Sequence, residues 1–220
     1  MMNNIKITFN LDGAGIIFNE YEPIHLDALL CAIAAKKHPN FNNDLNRNEK
    51  PDDIFIPLQR SLIKKNLVWH ASALFVEEKT VETLRYWRNR FRDNRAHLTE
   101  GTLNLMRGPY RMYNMPMTPK LLTKLCAYAS GDIDKTEVLL KQIKKIGHKR
   151  GWGYGRVIGY SIEETPEDWS LVKNGIAMRW LPDEKGNKLV RTTPPYWNSF
   201  DRVRCCNVLE QYDLPNINII

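Results

Sequence analysis

The feature of this chain that most limits its possible folds is the run GHKRGWGYGRV at residues 147–157, which places four glycines among cations and large aromatic residues. It follows the last helical pattern, at residues 132–146, and leads into the last strand pattern, at residues 157–162. A dinucleotide-binding GxGxxG follows a strand and opens a helix, and a Walker loop ends in GK[ST]. The order and composition of this run exclude both motifs.

The chemistry of the same run is typical of nucleic-acid binding. Glycines lack a Cβ atom, so their backbone N–H groups can approach phosphates and their φ angles can be positive. Trp152 and Tyr154 offer flat faces for unstacked bases, and the neighbouring cations supply charge. A glycine-rich hairpin whose aromatic residues pack on the core is the alternative, and the charges favour RNA. The predicted RNA-binding residues of this segment are Lys144, Lys145, Gly147, His148, Lys149, Arg150, Gly151, Trp152, Gly153, Tyr154, Gly155 and Arg156.

The net charge of +7 is concentrated in two segments. Residues 85–117 contain seven arginines against Asp93 and Glu100, for a net charge of +5, and residues 141–156 contain six basic residues and no acid, for +6. The remainder of the chain therefore carries −4. A solvated charged face is the alternative for either segment alone. Two such local segments together predict a polyanion site.

In the first basic segment, arginine alternates with aromatic and amide residues, in RYWRNRFRDNR at 85–95 and then LMRGPYRMYNMPMTP at 105–119. No apolar stripe is maintained, so we expect an arm that projects from the body and has no core of its own. Its arginines and aromatic rings offer both phosphate charge and stacking faces. The predicted RNA-binding residues of the arm are Arg85, Arg88, Arg90, Arg92, Arg95, Arg107, Tyr110, Arg111 and Tyr113.

The remaining patterns predict the fold class. Alternation predicts a strand at residues 5–9, and apolar spacing predicts a helix at 25–37, with Asp27 in its first turn, where the helix dipole favours an anion. Residues 38–53 are predicted as a loop, 54–58 and 67–76 as strands of an antiparallel ribbon, 118–129 and 132–146 as helices, and 157–162 as the last strand. The order strand, helix, strand, strand, helix, strand predicts an α+β fold of the ferredoxin-like, RRM-type kind (βαββαβ).

Length and composition bound the class of protein. We predict a single domain over residues 1–220, with the arm inserted at about 78–117 and an extension of short strands and Pro-rich turns at about 165–220. No apolar run approaches the roughly 20 residues of a membrane span, and the N-terminus has no secretory pattern. The four cysteines lack the CxxC spacing of zinc sites. We therefore expect mostly buried, reduced thiols, no metal or cofactor, and a cytoplasmic location.

Several motifs in order carry a resemblance. They are HLDALLCAIAAKK near the start, GPYRMYNMPM in the arm, ASGD before the long helix, LLKQIKKIGHKRGWGYGRV, and EDWSLVKNGIAMRWLP after the last strand. The glycine-rich run resembles the characteristic loop of the CRISPR-associated RAMP superfamily. The ordered set is similar to the Cas-five-type (Csf-three) subunit of type IV systems over most of residues 4–182, and it is more specific than the loop alone. The segment after Pro182 has no motif-by-motif match.

The resemblance implies a RAMP fold with a glycine-rich loop and a basic thumb-like arm. It implies a non-catalytic crRNA-binding subunit of a ribonucleoprotein effector complex that serves in antiviral defence and plasmid interference. Such a subunit caps the guide by holding its 5′ handle, and it contacts the first Cas-seven-type backbone subunit and the large subunit. It meets target DNA only through the complex, and guide processing belongs to a separate Cas-six-type nuclease.

Two other functions stay open at the level of sequence. RAMP relatives that process crRNA use a general base, often His, to activate the ribose 2′-OH, and some Cas-five-type proteins do this themselves. His148 is the candidate base for a metal-independent endoribonuclease, and His25, His70 and His97 could also approach RNA. No acid partner for His148 is evident. The other alternative is a binding module unrelated to CRISPR, such as a ribosomal or tRNA-associated protein.

Overall fold

The computed structural model of the protein describes residues 2–19, 22–37, 49–90, 104–108, 110–215 and 217–219. The helices of this part of the chain are α1 (Leu26–Ala35) and α2 (Ile133–Leu140). Its strands are β1 (Met2–Leu11), β2 (Arg60–Ile63), β3 (Asn66–Trp69), β4 (Val81–Glu82), β5 (Arg85–Asn89), β6 (Tyr113–Met117), β7 (Lys120–Leu121), β8 (Lys124–Asp132), β9 (Val157–Glu164), β10 (Val172–Lys173), β11 (Ile176–Ala177), β12 (Leu181–Pro182), β13 (Lys188–Val190), β14 (Val203–Cys206) and β15 (Asn218–Ile219). The protein is therefore a strand-rich α+β protein.

A three-stranded antiparallel sheet in the order β8-β1-β9 forms the centre of the fold. In β1, Ile5, Ile7 and Phe9 are fully buried, whereas the residues between them are half-buried. This period of two places one row of side chains in the core. The strands predicted at 5–9 and 157–162 are confirmed as β1 and β9.

Residues 71–75 lie on the other side of β8 and join it through isolated antiparallel bridges. Ala71 bridges to Ala129, and Phe75 bridges to Cys126. Along the chain, α1 lies between β1 and residues 71–75, and α2 lies between β8 and β9. Across the sheet, the order is therefore residues 71–75, β8, β1 and β9.

Both helices pack on the same face of this sheet. The helix predicted at 25–37 is confirmed as α1, and the one predicted at 132–146 is confirmed as α2, which ends at Leu140. Asp132 caps α2, because its carboxylate accepts a hydrogen bond of 3.0 Å from the backbone N–H of Lys135. The buried cluster between helices and sheet includes Ile5, Ile7, Phe9, Leu26, Leu30, Leu139 and Leu140.

The helix predicted at 118–129 is wrong. This stretch contains β7 and most of β8, which pairs with β1 over its whole length. Seven consecutive residues of β8, from Leu125 to Gly131, are buried. A strand covered on both faces has a continuous apolar pattern without alternation, and periodicity alone does not distinguish it from a buried helix.

The ribbon predicted from residues 54–58 and 67–76 is also misplaced. The structure has no strand at 54–58, where Leu58 makes a single bridge to Gly131. The antiparallel pair is formed by β2 and β3. Lys64 and Lys65 connect them with φ angles of 45° and 66°. Two central residues with positive φ make a tight hairpin turn, which the pair Lys-Lys does not signal because glycine and asparagine are the usual residues there.

Residues after Trp169 and two residues of the β2–β3 hairpin form a second, smaller core. Its members are Ile63, Val68, Leu171, Ala177, Leu181, Cys206 and Tyr212. Because Ile63 and Val68 belong to β2 and β3, this core packs the C-terminal region onto that hairpin. β15 also pairs with β2. All four cysteines are free and buried, as predicted. In the described part of the chain, no helix has the length and apolar character needed to cross a membrane.

The fully buried Arg179 connects the C-terminal region to α1. Its guanidinium donates to the carboxylate of Asp27 at 3.1 Å and to the hydroxyl of Tyr196 at 2.6 Å. It also donates to the backbone carbonyls of Trp69, Ala71 and Thr192. Burial raises the pKa of the Asp27 carboxyl, and the adjacent guanidinium opposes that shift. Asp27 thus lies in the first turn of α1, as predicted, but it is a buried ion-pair partner rather than a surface anion.

Candidate nucleic-acid interface

The glycine-rich segment, which we define as residues 144–156, is closed at its base and projects at its tip. At the base, the N–H of Ile146 donates to the carbonyl of Gly155 at 2.8 Å, and the N–H of Val157 donates to that of Lys144 at 2.9 Å. The N–H of His148 donates to the carbonyl of Ile17 at 2.7 Å. Residues 148–153 therefore form the exposed tip, which includes a single 3₁₀ turn, Arg150–Trp152.

The four glycines of this segment have different roles. At Gly155, with φ of 66°, a Cβ atom would overlap the carbonyl oxygen of Ile146, and at Gly147 it would lie 2.7 Å from that of Ile17. These two glycines allow the base to close. At Gly151 and Gly153, no heavy atom lies within 4 Å of the position of a Cβ. Gly147 and Gly155 are therefore needed by the fold itself, and the approach of a ligand to Gly151 and Gly153 stays a prediction.

The cations predicted for this segment lie mainly on its surface. Lys144, Lys149, Arg150 and Arg156 are exposed, as is His148. The ammonium group of Lys145 donates to the carbonyl of Arg150 at 2.8 Å, and that of Lys144 donates to the carbonyl of Lys141 at 2.9 Å. These partners are neutral, so the positive charges of the segment are not compensated by them.

The two aromatic residues of the segment behave differently. Trp152 is 39% exposed, and its ring stacks on that of Trp87 with centroids 3.8 Å apart and an interplanar angle of 13°. The ammonium group of Lys149 lies over the ring of Trp152, 4.5 Å from its centroid. Tyr154 is buried, at 8% exposed. The prediction that Tyr154 offers a free face to a base is therefore wrong, because the ring is enclosed by protein.

The arm is a two-stranded ribbon of β5 and β6, in which Trp87 is opposite Met115. The indole N–H of Trp87 donates to the hydroxyl of Tyr113 at 2.5 Å, so these side chains share a face. Arg88 donates to Asn114 at 2.9 Å and lies over the ring of Tyr86 at 5.3 Å. The predicted residues that are exposed are Arg85, Arg88, Arg90, Arg107, Tyr110 and Arg111, and Tyr113 is half-buried. Arg92, Arg95 and His97 lie outside the described residues.

The tryptophan stack brings the two basic segments together. Trp87 and Trp152 lie 65 residues apart in the chain, and their contact leaves no local pattern in the sequence. Residues 85–90, 104–108, 110–117 and 141–156 contain eleven Lys and Arg residues and no Asp or Glu. The result is a surface of cations and aromatic rings, which is the composition of sites that bind single-stranded nucleic acid.

The histidines are not equivalent. His148 is exposed at the tip, and among the described residues no carboxylate hydrogen-bonds to its imidazole. His25 is 1% exposed and lies between the rings of Trp180 and Tyr196, with centroids at 4.6 and 4.8 Å. His70 is also 1% exposed. The expectation that His25 and His70 could approach RNA is wrong, because both are enclosed in the core.

His70 belongs to a hydrogen-bond chain that no local pattern in the sequence indicates, because Asp168 lies far from His70 along the chain. Its Nε2 lies 2.6 Å from the hydroxyl of Ser61, and its Nδ1 lies 2.6 Å from the carboxylate of Asp168. Burial alone would raise the pKa of Asp168, but hydrogen bonds from His70 and Ser170 lower it below its usual value. The order of hydrogen-bonded side chains, Ser61, His70 and Asp168, resembles that of a Ser-His-Asp triad. Because Ser61 is fully buried, a substrate cannot reach it, and the chain instead links β2 to the C-terminal region.

These features define a class: an α+β protein whose two basic, aromatic segments meet at a stacked tryptophan pair on its surface. The model of the family described as "CRISPR type IV associated protein Csf3" matches residues 3–101 and 87–208 of the chain. The chain therefore belongs to the Csf3 family of CRISPR type IV associated proteins, as its motifs predict. No curated protein matches it.

Proposed function

We propose that the protein is a non-catalytic crRNA-binding subunit of a type IV CRISPR effector complex, and that it holds the 5′ handle of the guide RNA. The observation that carries the proposal is the Trp87–Trp152 stack, which joins the arm to the glycine-rich segment. Membership of the Csf3 family supplies the CRISPR type IV context. The surface supplies exposed cations and aromatic rings, which suit a flexible strand of phosphates and unpaired bases.

The sheet supports a ferredoxin-like RAMP fold for this subunit. β1 and residues 71–75 are both antiparallel to β8, so they are parallel to each other and are connected by α1. β8 and β9 are both antiparallel to β1 and are connected by α2. Two parallel pairs, each separated by one antiparallel strand, form the split βαβ arrangement. In this proposal the arm is the thumb, and residues 144–156 are the glycine-rich loop after the second helix.

The proposed partners are the crRNA handle, the first Cas-seven-type backbone subunit and the large subunit. Target DNA would be met only through the assembled complex. The arm supports this assignment, since Leu84, Tyr86, Met112 and Met115 are exposed large apolar residues on or beside the ribbon. Exposed aromatic and methionine side chains are enriched in protein interfaces.

The experiment is copurification of crRNA and subunits from cells that express the whole operon. The test variant replaces Lys149, Arg150 and Arg156 with Ala. Its matched control replaces three exposed cations elsewhere, Lys37, Lys79 and Lys185, so that the net charge changes equally. We expect the test variant to lose most of its crRNA and the control to keep it. Equal retention of crRNA in both variants would refute the proposed role of the glycine-rich segment.

Endoribonuclease activity is the alternative, and His148 would be its base. A general base needs a geometry that positions and tunes it, and His148 has no carboxylate partner among the described residues. We therefore expect repeat RNA to remain intact when it is incubated with the purified protein without metal. Specific cleavage that disappears in His148→Ala would replace the binding role with a catalytic one.

A further inference from the structure

The stack of Trp87 and Trp152 is a surface contact rather than part of a core. Trp152 is 39% exposed and Trp87 is half-buried, and neither ring belongs to the two buried clusters of the fold. The rings come from different elements, one from the ribbon and the other from the tip of the glycine-rich segment. Two large rings held nearly parallel at 3.8 Å, with solvent beside them, form a pair that a ligand can reach.

No face of Trp152 is free for a base while this stack persists. Trp87 covers one face of the ring, and the Lys149 ammonium lies over the ring 4.5 Å from its centroid. Because the stacked Trp87 occupies its own side, we infer that Lys149 covers the opposite face. An unpaired base can therefore stack on Trp152 only if it displaces Lys149 or parts the two tryptophans. Parting the rings preserves the favourable contact between Lys149 and Trp152.

Little packing opposes a separation of the rings by the thickness of one base, about 3.4 Å. Gly151 and Gly153 flank Trp152, and apart from their chain neighbours no residue has a heavy atom within 4 Å of the position that a Cβ would take at either of them. In the ribbon that carries Trp87, the residues of β5 and β6 are exposed or half-buried. The short pair of β4 and β7 lies at the base of the ribbon. Core packing therefore fixes neither Trp152 nor Trp87 in place.

Insertion of a base would exchange one ring–ring contact for two base–ring contacts. An aromatic pair contributes about 2- to 10-fold to an equilibrium. Stacking of one base on an aromatic side chain contributes about 5- to 150-fold to binding. The exchange therefore favours the inserted base. Arg85, Lys149 and Arg150 lie within three residues of one or other tryptophan, so cations are available for the phosphates that flank the base.

We propose that Trp87 and Trp152 are the two walls of a slot that binds one unpaired nucleobase between them. The inference rests on the proposed RNA-binding function and specifies one position of that RNA. The exposed cations around the slot favour a ligand that combines flat rings with repeated negative charge. An aromatic side chain of a partner protein lacks the phosphates that these cations require.

The test uses the full-length protein and single-stranded RNA of the repeat sequence, with the fluorescent base 2-aminopurine placed at one position at a time. We expect strong quenching at one position, where the base lies between the rings. Trp87→Leu and Trp152→Leu should each relieve that quenching and weaken binding by about 5- to 150-fold. Trp197→Leu is the matched control, because Trp197 is comparably exposed, at 46%, in the loop between β13 and β14.

The outcomes separate the slot from the proposed function. If the protein does not bind the RNA, both the function and the slot are refuted. If it binds with unchanged affinity in both tryptophan variants and no position is quenched, RNA binding stands and the slot is wrong, so that the stack only fastens the arm. Trp87→Phe keeps an aromatic wall and should restore most of the quenching. If it behaves like Trp87→Leu, the effect of Trp87 comes from folding rather than stacking, and the slot is refuted.

Discussion

Gly155 and Gly151 lie four residues apart, yet a side chain at each has a different consequence. Gly155 combines a φ of 66° with the carbonyl of Ile146 where its Cβ would be. An L-residue in this conformation costs about 1–2 kcal/mol, and the overlap adds to that cost. We expect Gly155→Ala to lower the free energy of unfolding by more than about 3 kcal/mol. Gly151→Ala, at an open position, should change it by less than about 1 kcal/mol.

Urea denaturation of the two variants beside the unmodified protein measures this difference. Comparable stability of both variants would show that the base of the glycine-rich segment tolerates a side chain. In that case the backbone at Gly155, like that at Gly151, would be available for contact with a ligand.

His25 predicts a dependence of stability on pH. Burial, with Arg179 and Lys188 nearby, holds the pKa of His25 well below its ordinary value. The unfolded chain therefore binds a proton at this residue below about pH 6.5, whereas the folded protein does not. The free energy of unfolding should fall as pH decreases below this value, by up to about 1.4 kcal/mol per pH unit from His25 alone. It should be independent of His25 above it.

The variant His25→Phe isolates this contribution, since a Phe ring can occupy the space between Trp180 and Tyr196. Chemical denaturation at pH 7.5, 6.5 and 5.5 should show a shallower decline for the variant than for the unmodified protein. Identical declines would mean that His25 becomes protonated in the folded state without cost. The other titratable groups are common to both proteins, so their contributions to the pH dependence cancel in the comparison.

The arginines of the arm should contribute to RNA binding but little to the stability of the fold. Arg85, Arg88 and Arg90 are exposed, and an exposed polar contact such as that of Arg88 with Asn114 contributes at most about 1 kcal/mol to folding. Replacing all three with Ala should shift the melting temperature by no more than about 4 °C. It should weaken RNA binding and reduce the salt slope of log K by about 2, since each phosphate contact contributes about 0.7.

A melting curve and a salt titration of RNA affinity test both expectations on one protein sample. A large loss of melting temperature with unchanged RNA affinity would contradict the arm assignment, because the ribbon would then be part of the core. The triple variant of Lys37, Lys79 and Lys185 is again the control for net charge.

The elements that the sequence predicts correctly are those whose apolar residues repeat with one dominant period. β1 alternates and faces the core on one side, and α1 keeps an apolar stripe. β8 was mistaken for a helix because it is buried on both faces. The cations and glycines of the tip were predicted from local chemistry. The tryptophan stack and the burial of Tyr154 were not, because both depend on contacts between segments that lie far apart in the chain or on neighbours that carry no pattern.

At the scale of the whole molecule, the C-terminal region is held to the body by buried polar contacts. Arg179 reaches Asp27 of α1, and Asp168 reaches His70 beside β3. Buried polar groups that hydrogen-bond across elements favour one particular arrangement of the elements that carry them. These contacts place the C-terminal region against the helix and the hairpin, and the second core then excludes water between them.

The distribution of charge over the whole molecule gives the last prediction. The net charge is only +7, because the chain outside the two basic segments carries −4. If local phosphate contacts determine RNA affinity, the slope of log K against log salt counts those contacts. About four contacts from the glycine-rich segment contribute about −3 to the slope for single-stranded RNA, and three from the arm contribute about −2, so the total is near −5. Replacing Lys149, Arg150 and Arg156 with Ala should bring the slope to about −3, whereas the Lys37, Lys79 and Lys185 variant should keep it near −5. Since both variants remove three positive charges, equal slopes would mean that the overall charge attracts RNA and that no local site exists.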